Sequence, residues 1–165
     1  MTLDLPLAFT RIVVGAFGLI VGSFLNVVVH RVPRGESIVT PRSRCPGCGR
    51  LIPAIENIPV VSWLALRGRC AGCGGRIAWR YPAVELFTAL LFVACFEVFG
   101  ATPALLIALP FVGAVLALVF MDLEHMLLPD SVTLPVTFLG LLVSFASPLT
   151  TPADALLVVM LAWFL

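Results

Sequence analysis

Residues 12–29 read IVVGAFGLIVGSFLNVVV, eighteen residues without a charge between Arg11 and His30. At about 1.5 Å per residue this run makes about 27 Å of helix, close to the ~30 Å hydrocarbon core of a bilayer. A secretory signal would also begin with a short N-terminus and an apolar run. No small-x-small cleavage site follows this one, however, and the basic flank lies after it, with a single arginine before it. The run therefore reads as a retained first span, with the N-terminus outside and the following loop inside.

Composition agrees with that reading. The chain of 165 residues is 61% hydrophobic and 12% charged, whereas soluble domains carry about 25% charged residues. A soluble core of this size cannot hide so much apolar surface, so lipid is the expected solvent. The net charge of +1 hides an uneven distribution. There is no lysine, and all arginines except Arg11 lie between Arg31 and Arg80. Nine arginines against Glu36 and Glu56 leave that stretch near +7. Basic loops between spans stay in the cytoplasm, so this loop is predicted to be cytoplasmic. The alternative, a nucleic-acid or anionic-lipid patch, is disfavoured because these arginines are scattered and lack interleaved aromatics, so no nucleic-acid partner is expected. Membrane lipid is.

The region from Pro82 to Met121 is apolar apart from Glu85 and Glu97. It is too long for one span, and Gly100-Ala-Thr-Pro103 divides it into a hairpin with spans at about 82–99 and 103–121. Asp122 to Asp130, DLEHMLLPD, reads as a polar interruption on the cytoplasmic side. A further span is expected over about 131–148, then an outer turn over 147–154 containing Asp154. Residues 155–165 are apolar but rise only about 16 Å, so the chain is expected to end within a fifth span and to be part of a longer parent. The resulting division is 1–30, outer N-terminus and first span; 31–81, cytoplasmic loop domain; and 82–165, an incomplete membrane domain. The expected fold is an all-α integral membrane helical bundle with a cytoplasmic zinc-knuckle loop.

That loop carries Cys45-Pro-Gly-Cys48-Gly and Cys70-Ala-Gly-Cys73-Gly. Two residues between cysteines let both sulfurs face one ion, and the glycines allow the tight turn that aims backbone amides at thiolates. Four thiolates suit tetrahedral, structural Zn²⁺; an iron–sulfur centre takes the same ligands. Disulfides are the alternative, disfavoured on a reducing face. Cys95, inside an apolar span, reads as a small buried hydrophobe.

A second cluster of polar groups, Asp122, Glu124, His125 and Asp130, follows the third span. Carboxylates at a membrane boundary are costly and often functional. Asp122 is the candidate catalytic group; the plain alternative is a solvated loop, with Asp130 capping the next helix. A metal site from Asp122, His125 and Asp130 is a weaker reading. Glu97 is expected to reach headgroups at the outer face, and Glu85 to face protein or an arginine.

Five ordered motifs carry a resemblance. They are Gly22-Ser-Phe-Leu-Asn26-Val-Val-Val-His30-Arg31-Val-Pro33, then Glu56-Asn57-Ile-Pro59-Val-Val-Ser62-Trp63, the two cysteine knuckles, Arg80-Tyr81-Pro82-Ala-Val-Glu85-Leu, and Asp122-Leu-Glu-His-Met-Leu-Leu-Pro129-Asp130. Together they resemble the bacterial type IV prepilin peptidases over about residues 15–140. The resemblance implies an inner-membrane, multi-pass aspartic enzyme of the Gly-x-Gly-Asp type. It would cut the basic leader from type IV prepilins and type II secretion pseudopilins at the cytoplasmic face. It would then methylate the new N-terminus with S-adenosylmethionine. It further implies that Asp122 is the first catalytic aspartate and that Gly68 is linked to methylation. The second catalytic aspartate, in a Gly-x-Gly-Asp motif, has no counterpart in this sequence. Asp154 lies a membrane thickness from Asp122 and is no substitute, so the chain as written is expected to lack peptidase activity. A non-catalytic zinc-loop membrane scaffold, or an ion carrier using Glu85 and Asp122, are the competing classes.

Overall fold

The computed structural model describes residues 7–144, with side chains as far as Leu141, together with residue 153. The expected outer turn over 147–154 and the span at 155–165 otherwise lie outside the described residues.

Among the described residues the chain is all helical. Five α-helices follow one another: α1 Leu7–Arg31, α2 Val61–Ala65, α3 Arg80–Phe99, α4 Pro103–His125 and α5 Asp130–Ser144. Three of them, α1, α3 and α4, are long and apolar enough to cross a membrane. Their outward residues are apolar too: Ile12, Ile20, Leu90 and Leu106 are 61–74% exposed, a pattern that suits lipid.

The α1–α3 pair is an antiparallel hairpin in which each step of about one turn on α1 meets one on α3. At the far end Arg11 forks onto Glu97, with 2.6 and 2.8 Å hydrogen bonds. Next, Cβ positions built on Gly15, Gly18 and Gly22 fall against Val93, Ala89 and Glu85. At the near end the Asn26 amide donates to the Tyr81 carbonyl at 3.1 Å. Glu97 therefore meets Arg11 rather than headgroups. The glycines let the backbones touch, because lipid offers no hydrophobic drive and contact must come from close packing. A Cβ on Gly18 would lie 2.6 Å from the Ala89 Cα, and one on Gly22 2.7 Å from the Glu85 Cα. Neither helix backbone can yield locally. Gly18→Val is thus expected to destabilise the bundle by ~1–3 kcal/mol or more, seen as a lower thermal midpoint in detergent.

The third span, α4, completes the core. Leu105 and Leu109 pack on Phe92 and Phe96 toward the far end. Leu116, Ala117 and the fully buried Met121 pack on Leu25, Val28, Val29 and Val84 toward the near end. Pro110 sits inside α4, as membrane helices tolerate. This helix runs one turn beyond the expected end at 121. Asp122-Leu-Glu-His contains no breaker, and the helix stops only where Met126 turns left-handed, φ 50°. Asp122 therefore stands on a helix, not in a loop. Asp130 likewise lies in the first turn of α5 rather than before it, where its charge still suits the helix N-terminus.

Candidate metal centre and candidate catalytic aspartate

The segment between α1 and α3 is built on two copies of one turn. In the first, the Cys45 amide donates to the Arg50 carbonyl, the Gly49 amide to Cys45, and Ile52 to Ser43. In the second, Cys70 donates to Gly75, Gly74 to Cys70, and Ile77 to Gly68. Isolated antiparallel bridges, Arg44 with Leu51 and Arg69 with Arg76, close each turn. Gly49 and Gly74 take φ of 71° and 69°, left-handed values that a side chain would strain. The match between Ser43–Ile52 and Gly68–Ile77 thus extends well beyond the cysteines. Aligning the two stretches would have revealed it.

The two turns bring all four cysteine sulfurs within 4.8 Å of one another. The Cys45 and Cys73 sulfurs are 3.8 Å apart. A tetrahedral zinc with bonds of about 2.3 Å sets its sulfurs about 3.8 Å apart, so the tetrad fits that ion; all four cysteines are free thiols, as is Cys95. The backbone amides of Cys73 and Gly72, with help from the Cys45 sulfur, hold Cys70 down to about 6. Cys73 feels a lowering pull from the Gly75 amide, but the sulfurs of Cys48, Cys45 and Cys70 push it up to about 11. Four thiols competing for one space is the electrostatic problem that a divalent cation relieves.

Two carboxylates anchor this module. Arg50 crosses the second knuckle at Gly72, where a Cβ would meet its Cδ at 2.9 Å, and forks onto Glu56 with two 2.8 Å bonds. Hydrogen bonding to Arg50 holds the Glu56 carboxyl below the usual range. Glu85, buried on α3, accepts the Val60 amide at 2.7 Å, and Ser23 of α1 lies beside the same carboxylate. Val60 has φ 60° and ψ −50°, a costly conformation for a β-branched residue that neighbouring structure must hold. Glu85 does that holding, so it faces backbone rather than an arginine. Glu85→Ala is expected to cost ~1–3 kcal/mol by orphaning the Val60 amide; Glu85→Gln, which keeps an acceptor, should retain most of the stability. Thermal unfolding of the two variants in detergent separates these outcomes.

Gly68 is buried, with φ 66°. A Cβ there would lie 2.9 Å from the Trp63 ring, whose Nε1 donates to the Ile77 carbonyl at 3.1 Å. Gly68→Ala must displace that indole and strain the backbone. We expect a loss of ~1–3 kcal/mol, with Trp63 fluorescence shifted in a chain whose other tryptophans are replaced.

At the same end of the bundle, Asp122 is exposed on the last turn of α4, and its side chain makes no hydrogen bond or ion pair among the described residues. Its neighbours are held. Arg80, at the start of α3, ion-pairs with Glu124 and lies over the Tyr81 ring, 5.1 Å from its centroid. His125 turns a buried Nε2 toward Glu124, 3.8 Å away. The Arg80–Tyr81 motif is thus in contact with the turn that carries Asp122. Among the described residues, only the four cysteines group three or more metal-binding side chains. Asp122, His125 and Asp130 do not form a metal cluster.

A family model described as Bacterial Peptidase A24 N-terminal domain matches residues 16–99. The chain belongs to this family. The peptidase A24 match covers α1 from Ala16 onward, the four-cysteine module and α3. The chain is 53% identical over 140 residues to a prepilin leader peptidase/N-methyltransferase of Myxococcus xanthus strain DK1622, covering 85% of this chain and 42% of that one. Against the protein of the same name from Dichelobacter nodosus it is 46% identical over 156 residues, covering 78% and 54%. Against that of Aeromonas hydrophila it is 42% identical over 165 residues, covering 86% and 57%. The chain spans about half the length of these curated relatives. No solved structure matches it.

Proposed function

We propose that this chain carries one half of a prepilin leader peptidase with a linked N-methyltransferase, set in the bacterial inner membrane with its knuckle end toward the cytoplasm. The observation that carries the reading is the placement of Asp122: its carboxylate is exposed at the edge of the bundle and without a side-chain partner among the described residues, on a turn braced by Arg80 through Glu124. The relatives bear that enzyme name, and the basic module supports the orientation.

Hydrolysis by aspartates uses two carboxylates that share a site, one protonated and one ionised, because like charges that close cannot both ionise. In the proposed reaction the ionised carboxylate takes a proton from water as the water oxygen bonds to the scissile carbonyl carbon. The protonated one hydrogen-bonds the carbonyl oxygen and then supplies the proton on which the amine leaves as the C–N bond breaks. Asp122 is proposed as one member; the resemblance implies that the other belongs to a Gly-x-Gly-Asp motif, which these 165 residues do not contain. The leader peptide departs, and the pilin's new N-terminal amine is the group to be methylated.

Zinc, held by Cys45, Cys48, Cys70 and Cys73, would have no open ligand position and would fold the module rather than act on substrate. S-adenosylmethionine would supply the methyl group. Gly68 is covered by Trp63, so its link to methylation is proposed to run through seating that indole and the second knuckle. The test is mass spectrometry of a prepilin incubated in detergent with the protein extended to the length of its relatives. Loss of the leader followed by one added methyl supports the reading. An unchanged prepilin would favour the zinc-loop scaffold instead.

A further inference from the structure

The Ile58–Val61 turn reaches deeper along the bundle than a loop lying wholly in water. Glu85 receives its Val60 amide at 2.7 Å, and the Glu85 backbone lies against Gly22 of α1. Gly22 is seven residues, about 10 Å of helix, inside Val29, where the charge-free run ends. With α1 spanning the bilayer, that level lies within the apolar slab and not beyond the headgroups.

The surrounding side chains suit such a depth. Ile55, Ile58, Val61 and Leu64 recur at every third position and are 74%, 44%, 58% and 61% exposed. In water these exposed side chains would be a liability; against acyl chains they are stabilising. The backbone is also prepared for lipid, where unpaired polar groups are costly. The Ile58 carbonyl takes both the amide and the hydroxyl of Ser62, and the Val60 carbonyl takes the Leu64 amide. Glu56, the only ionisable residue from 55 to 64, is matched by the Arg50 fork. Around this segment the arginines give residues 31–80 their excess of positive charge, which complements anionic headgroups.

We propose that residues 55–64 are a membrane-seated segment: Ile55, Ile58, Val61 and Leu64 lie against acyl chains, and the knuckle arginines rest on anionic phospholipid headgroups. The Glu85–Val60 bond is the pin that sets the depth. The four-cysteine module is thereby held flat on the membrane instead of hanging free in water. This inference uses neither Asp122 nor the peptidase reading.

The test places the photo-crosslinking residue p-benzoylphenylalanine at Leu64, and separately at Ile58, in the whole chain. Each variant is reconstituted in phosphatidylglycerol–phosphatidylethanolamine liposomes, irradiated and read by intact mass. Ile20, 61% exposed on α1, is the positive control, and each variant kept in the dark is the negative one. Phospholipid adducts at 58 and 64 in yields comparable to position 20, and absent from the dark samples, are expected. Their absence at both positions while position 20 labels would overturn the proposal. So would crosslinks to a second copy of the chain in place of lipid. Metal content, measured on each variant, identifies any that has lost its fold, and Val61 is the replacement position.

Discussion

Asp122→Asn, made in a full-length protein containing this sequence, is expected to abolish leader cleavage while leaving the fold intact. Asparagine has the same shape but cannot take or give the proton. Loss of a general acid or base alone costs about 10²–10⁴-fold, and losing one member of a shared pair should reach the upper end. The stability cost should stay within ~0.5 kcal/mol, because the side chain is exposed and makes no bond among the described residues. Glu124→Gln gives the contrast: it weakens the link to Arg80 without removing the reacting group, so cleavage should fall less. A pilin supplied already cleaved should still be methylated by the Asp122→Asn protein. Cleavage at the wild-type rate would remove Asp122 from the chemistry.

The second large effect is expected at the cysteines. Cys73→Ser removes one of four sulfurs that lie within 4.8 Å. Loss of a group that only orients a ligand costs metal affinity roughly 10–100-fold, so losing a ligand should cost more. Much of the module's folding should go with it, since the segment between α1 and α3 holds no large core of its own and metal binding is folding free energy in such domains. Limited proteolysis should then cut within residues 32–79 and leave the α1–α3–α4 bundle intact. A strong chelator acting on the wild type should produce the same pattern, whereas Cys95→Ser should do neither.

The first three spans were legible because a charge-free run of membrane length has few other uses, and Ile12–Val29 is one. The metal tetrad was legible because its geometry is local: each pair of sulfurs comes from one short turn. Less visible was everything joining distant residues. Glycines 15, 18 and 22 are plain in the sequence, but which helix lies against them is not. Nor could the arginines be matched with their carboxylates. Arg11 with Glu97, Arg50 with Glu56 and Arg80 with Glu124 are choices made by the fold. Glu85 faces protein, as its depth implies, but the amide it meets, that of Val60, has no signature in the sequence. A strained Val60 has no sequence signal. The charges of DLEH mark a polar interruption in the sequence, yet the residues are compatible with one more helical turn, and α4 runs on through His125.

The metal content of the purified wild-type chain, by inductively coupled plasma mass spectrometry with the protein counted by amino-acid analysis, is the most direct check on the knuckle site. One zinc per chain is expected, held by Cys45, Cys48, Cys70 and Cys73. A chain free of metal with those cysteines intact, or with disulfides between them, would contradict it.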